Sequence, residues 1–128
     1  MKEYLFTKKI GLTEEDIKDI LCSCIEGGSN YWCQIQNCGE QWDEVEKELP
    51  EDSTIEDCIM ALWHVGYILH VIDVEENDEH TISFKDFINA IQSVIDDGTW
   101  DGDDVCDVDG IVGDCIMQYA TFGEVIYG

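Results

Sequence analysis

The stretch TEEDIKDILCSCIEGGSNYWC, residues 13–33, constrains the fold more than any other part of the chain. Thr13 is placed to cap a helix whose third residue, Asp16, reaches back in a capping box, and Glu14, Glu15 and Asp16 complement the positive end of the helix dipole. Ile17, Ile20, Leu21, Cys24 and Ile25 recur at i, i+3, i+4, i+7 and i+8, so one apolar stripe must face a core. Gly27 and Gly28 are expected to end the helix in the left-handed conformation. Tyr31 and Trp32 then fold back onto the stripe as an aromatic lid.

The remaining segments can be read as partners for that stripe. EYLFTKKIGL, residues 3–12, has the composition of a first strand. Trp42, Val45 and Leu49 fall at i, i+3 and i+7 and define a short helix stopped by Pro50. Ser53 and Thr54 with Glu56 and Asp57 open a second main helix, with Cys58, Ile59, Leu62 and Trp63 as its core positions and Gly66 as its stop. The period then changes: YILHVIDV, residues 67–74, is a nearly continuous apolar run that reads as a central strand buried on both faces. EENDE turns it, HTIS returns as a shorter strand, and the hairpin tip is acidic. Ser83 and Asp86 cap a third main helix that carries Phe84, Phe87, Ile88, Ile91 and Ile95 on one face and ends at Gly98. A fourth starts at Gly110 and is expected to bury Ile111, Val112, Cys115, Ile116 and Tyr119. EVIYG is a closing strand or a packed tail. The expected fold is α+β, one compact domain over residues 1–128, with a small, mostly antiparallel sheet of about three strands packed with four helices.

With 128 residues and 45% apolar content, the chain can bury a core without disulfides or metal, and its seven cysteines, an odd number, are read as reduced. No apolar run is long enough to span a membrane and the N-terminus lacks signal-peptide character, which predicts a soluble cytoplasmic protein.

Charge dominates the composition. Thirty acids face six lysines and no arginine, a net charge of -24, and residues 1–18 are neutral in sum, so everything beyond them carries 26 acids against Lys47 and Lys85. Such a chain repels nucleic acid and membranes and attracts basic surfaces. Two segments concentrate the acids. Residues 40–57 hold nine, with Glu40, Glu44 and Glu48 four apart on the outer face of the short helix, where each like-charge pair costs about 0.2–0.5 kcal/mol. As continuous helix this segment would present one charge per ~3 Å, close to the ~3.4 Å between phosphates of a DNA strand, although Pro50 interrupts it. Residues 96–109, DDGTWDGDDVCDVD, hold seven aspartates and no cation. Within them Trp100 is expected to be exposed and to anchor a basic partner.

Catalytic and metal-binding patterns are absent. Neither register of the aspartate loop satisfies an EF-hand: one places Val105 and Ile116 at the first and last ligand positions, and the other places Thr99 and Val108 at ligand positions. Cys22 and Cys24 point apart on a helix, no Cys-x-x-Cys pair exists, and His64, His70 and His80 are scattered. No phosphate-binding glycine loop or nucleophile elbow occurs. No enzyme activity, cofactor or metal is expected.

TEEDIKDI, EGGSNYWC, TISFKDFINAI and QYATFGEVIYG together resemble a family of small acidic proteins carried by phages and mobile elements of Gram-positive bacteria. The resemblance implies a shared fold, since the matching residues are caps, core and lid. In charge and genomic setting such proteins are similar to anti-CRISPR and antirestriction inhibitors. The expectation is therefore a phage-encoded, monomeric, noncatalytic inhibitor, acting in the bacterial host cytoplasm, that mimics nucleic acid toward a basic nucleic-acid-binding protein. A CRISPR effector or another defence nuclease would be that partner, with no direct binding to nucleic acid. The partner-binding residues would be Glu40, Asp43, Glu44, Glu48, Glu51, Asp52, Asp97, Trp100, Asp101, Asp103, Asp104 and Asp107. Two other readings stay open: a small intracellular regulatory module with a weak divalent-cation site in the aspartate loop, and a carboxylate-dependent hydrolase with a few acids of perturbed pKa.

Overall fold

The computed structural model describes residues 10–128. The strand expected over residues 3–12 lies outside them except for 10–12, which form no regular element. Five α-helices and three strands follow in the order α1 (Glu14–Ser23), a π-helical turn (Cys24–Gly28), β1 (Cys33–Ile35), α2 (Glu40–Glu46), α3 (Ile55–His64), β2 (Leu69–Asp73), β3 (Asp78–Ile82), α4 (Phe84–Asp96), a 3-10 turn (Val105–Asp107) and α5 (Gly110–Phe122). The fold is α+β, with the short helix α2 standing beside the four main ones.

Three helices start as their sequences dictate. Thr13 with Asp16, Thr54 with Asp57 and Ser83 with Asp86 each form a complete capping box. The end of α1 differs from expectation. Neither Gly27 nor Gly28 has a positive φ; the chain widens into a π-helical turn instead. Close approach, rather than handedness, requires glycine here. A Cβ on Gly28 would lie 2.6 Å from the Gly110 carbonyl, and one on Gly113 would lie 2.8 Å from the Ser23 carbonyl and 2.9 Å from the Cys24 backbone. The turn and α5 therefore meet backbone to backbone.

That seat fixes which face of α5 is buried. Val112, Gly113, Ile116, Met117 and Ala120 point inward, Cys115 and Tyr119 are half-buried, and Ile111, expected in the core, is 76% exposed. On the opposite flank α5 packs along α4, which buries Phe87, Ala90, Ile91 and Val94.

The sheet has the order β1-β2-β3 and is antiparallel throughout. β1 is only three residues long, too short for an alternation to show in sequence, and pairs Cys33 with Asp73 and Ile35 with Val71. β2 is central but not buried on both sides: Leu69, Val71 and Asp73 are buried, His70 is exposed and Ile72 half-buried, because the helices cover one face. β3 begins at Asp78, two residues ahead of the expected start, and Asn77 takes φ 57° at the hairpin tip.

The buried apolar side chains of helices, lid and sheet form one cluster, with Trp32, Ile20, Leu21, Ile59, Val71, Phe87 and Ile116 at its centre. Residues 124–128 are a packed tail and not a strand. Gln118, fully buried, accepts from the Ile126 and Tyr127 amides at 2.7 and 2.8 Å and donates to the Tyr127 carbonyl at 3.2 Å. Tyr127 then stacks near Trp32 and Phe122 and donates to Asp73 at 2.6 Å. Trp32 closes over the core as its sequence suggests, whereas Tyr31 stays about half exposed, its ring held outside by its hydroxyl; Tyr31 Oη and Trp32 Nε1 each donate to Asp114 at 2.7 Å.

Candidate partner-binding surface

The first acidic segment is displayed outward. Glu40, Asp43 and Glu44 lie on α2, Glu48 in the turn after it, and Glu51 and Asp52 beyond Pro50; all six are exposed. The expected stack of Glu40, Glu44 and Glu48 is cut short because α2 ends at Glu46, leaving Glu40 and Glu44 as the helical like-charge pair. Glu44 accepts from Tyr67 Oη at 2.9 Å, which raises the pKa of that phenol, and Glu46 accepts from Trp42 Nε1 at 2.8 Å. Glu44, Glu48 and Asp52 open onto a shallow cleft of about 960 Å³ whose far wall is formed by Glu14, Glu15, Lys18 and Asp57.

Two lysines stand in that cleft. Lys18 Nζ lies 2.5 Å from Asp57 Oδ1, a contact that raises the lysine pKa and, with the Thr54 amide, lowers that of Asp57. Lys47 also lines the cleft, among Glu44, Glu48 and Asp52.

The second segment is organised around its own backbone. Trp100, expected as an exposed anchor, is 3% exposed and part of the core; its Nε1 donates to the Asp104 carbonyl at 3.1 Å. The preceding Gly98 turn folds the indole inward, and the loop wraps it. Its aspartates serve as local acceptors: Asp97 for the Thr99 amide at 2.8 Å and the Tyr119 hydroxyl at 2.5 Å, Asp101 for the Asp103 amide, Asp104 for the Cys106 amide and Asp109 for the Val112 amide at the start of α5. Partial burial works to raise the Asp97 pKa, but the bonds from Thr99 and Tyr119 outweigh it and hold the carboxyl below its usual range. Asp101, Asp103, Asp104 and Asp107 remain exposed on the surface of the loop.

Helix α1 joins the two segments. Glu14 and Glu15 line the cleft with Glu44, Glu48 and Asp52, while Asp16 and Asp19 line a groove on the other flank with Asp103 and Asp104. The result is a band of carboxylates running from α2 across α1 to the aspartate loop. Sequence reading assigned Glu14, Glu15 and Asp16 to capping alone and passed over Asp19; only the packing of α1 against α3 and the 3-10 turn shows that they complete a surface. Among the described residues this surface carries no group of three ligand-type side chains close enough to share a metal ion; the cluster that does so, Cys22, Glu26 and Glu56, lies farther along α1.

No helix among the described residues is long and apolar enough to cross a membrane. In comparisons with protein families, curated proteins and solved structures, the chain matches none.

Proposed function

We propose that this protein is a noncatalytic acidic inhibitor that occupies the nucleic-acid-binding surface of a basic bacterial defence nuclease, a CRISPR effector foremost, in the cytoplasm of a phage host. The observation that carries this reading is the band of carboxylates from Glu44, Glu48 and Asp52 through Glu14, Glu15, Asp16 and Asp19 to Asp103 and Asp104, on a chain of net charge -24. Carboxylates on a helical frame present anionic oxygens to lysine and arginine side chains, as a phosphate backbone does. Docking them releases the ions condensed on both partners, so affinity falls steeply with salt.

The contact is electrostatic rather than anchored by an aromatic, since Trp100 belongs to the core. The test is capture of a purified defence nuclease on the immobilised protein at low salt, followed by a salt titration and competition with DNA or guide RNA. The reading expects displacement by nucleic acid, a linear fall of log affinity with log salt, and about tenfold weaker binding when Glu44, Glu48 and Asp52 become Gln, Gln and Asn, from ~0.2–1 kcal/mol per exposed ion pair. Binding that nucleic acid does not compete, or that survives the triple change, refutes it.

A further inference from the structure

Cys22, on the last turn of α1, Glu26, in the π-helical turn, and Glu56, on the first turn of α3, bring a thiol sulfur and two carboxylate oxygens within 4.8 Å of one another. We propose that they form a binding site for a thiophilic divalent cation of the zinc class. The inference is independent of the acidic band and of any partner.

Glu56 is the decisive residue. It is 3% exposed, its carboxylate has no hydrogen bond or ion pair with any described residue, and it faces Cys22 and Glu26. Among the described residues Thr121 Oγ1 is the one wholly enclosed side-chain atom without a partner, so the Glu56 oxygens keep a narrow opening to water; a carboxylate with so little solvent and no donor favours a cation beside it. Lys18, one turn before Cys22 on α1, is held by Asp57 at 2.5 Å. The dipole of α3 steadies the Glu56 charge but provides no donor to its oxygens. A divalent cation between the three side chains would supply what no described residue does.

The donor set selects the metal. One thiolate and two carboxylates suit zinc, or cobalt as its spectroscopic substitute, better than calcium or magnesium, which take oxygen ligands alone. Metal–sulfur and metal–oxygen bonds of about 2.3 and 2.0–2.2 Å in tetrahedral geometry put ligand atoms roughly 3.5 Å apart. The set must therefore contract by about an ångström, and Glu26, exposed on its turn, is free to swing inward. On binding, the Cys22 thiol gives its proton to solvent as the sulfur–metal bond forms, and water takes the fourth position. A search for cysteine and histidine spacings misses this site because it draws one ligand from α3, more than thirty residues away.

The test is titration of the reduced, full-length protein with Co²⁺ in the presence of excess Mg²⁺, which occupies loosely binding surface carboxylates. The expected result is thiolate-to-cobalt charge-transfer absorption in the near ultraviolet, bleached by one equivalent of Zn²⁺. It should be lost in Cys22→Ser, weakened at least about tenfold in affinity in Glu56→Gln and in the exposed Glu26→Gln, and unchanged in Cys38→Ser and Cys106→Ser. Absence of the band, its removal by Mg²⁺, or its persistence in Cys22→Ser overturns the proposal. Glu26→Gln decides the matter if the more buried variants lose their fold.

Discussion

Two stretches of this chain have nearly the same density of acids and opposite relations to the fold. In residues 40–52 the carboxylates stand on a short helix and its turn, exposed, with the core contacts left to Trp42 and Val45. In residues 97–109 Asp97, Asp101 and Asp104 accept from backbone amides of their own loop, Asp109 caps α5 through the Val112 amide, and the loop closes over a buried tryptophan. Charge density alone does not separate a surface offered to a partner from a loop that is acidic because aspartate makes good turns. The separation comes from which carboxylates accept from backbone amides, as four aspartates of the second stretch do, whereas Glu44 and Glu46 accept from the side chains of Tyr67 and Trp42.

The widest gap between the two regions should appear on removing the indole. Trp100→Ala is expected to lower unfolding free energy by about 3–5 kcal/mol, the usual cost of truncating a fully buried large aromatic. Denaturant unfolding followed by circular dichroism measures it. Trp100→Phe should restore part of the loss, because the ring volume returns while the bond to the Asp104 carbonyl does not. If Trp100→Ala left stability unchanged and instead weakened partner binding, the indole would be an interface anchor rather than core and the contrast would collapse.

A smaller loss is expected from the loop's acceptors. Asp97→Ala removes the bonds from Thr99 and from Tyr119 on α5 and should cost about 1–2 kcal/mol, with Tyr119→Phe costing less. The same residue sets a pH dependence. Its folded pKa lies below the unfolded value of about 3.9, so its contribution is complete above that value and is lost as pH falls through the folded pKa. Asp57, lowered first by its bond to Lys18, behaves alike. Acid unfolding should therefore steepen below about pH 4, and Asp97→Asn should flatten that limb relative to the wild type.

Much of this was legible in the sequence, for identifiable reasons. The boxes at Thr13, Thr54 and Ser83 and the stops at Gly66 and Gly98 are local chemistry, and each lies where its residues put it. What sequence could not supply was rotation and company. The buried face of α5 is set by Gly113 resting on Cys24, so Ile111 faces solvent despite its side chain. β1 exists because β2 offers it an edge, not because CQI favours strand. Trp100 among seven aspartates and glycines looks exposed until the turn at Gly98 folds it under the loop. Of the residues expected at the partner surface, Glu44, Glu48 and Asp52 meet in one cleft, Asp43 and Glu51 line a second groove and Glu40 a third, while Asp97 is bound to Tyr119 and Trp100 is internal.

The smallest stability effect is expected where the largest functional one is. Glu40→Gln relieves repulsion with Asp43 and Glu44 but gives up a negative charge at the N-terminus of α2, and these opposed effects of a few tenths of a kcal/mol should leave stability within about 0.5 kcal/mol of the wild type. Glu48→Gln and Asp52→Asn, on side chains without a hydrogen-bond role in the fold, should stay within about 0.5 kcal/mol of the wild type. Asp104→Ala, by contrast, gives up the cap of the 3-10 turn and should lose about 1 kcal/mol. Thermal midpoints of these four variants, taken together with their salt-dependent affinity for a basic nuclease, place each carboxylate on one axis or the other. A residue that moves binding without moving the midpoint belongs to the display. Should Glu48 and Asp52 prove as costly to stability as Asp104, the acids of residues 40–52 would be structural too, and the band would lose its claim to be a surface made for a partner.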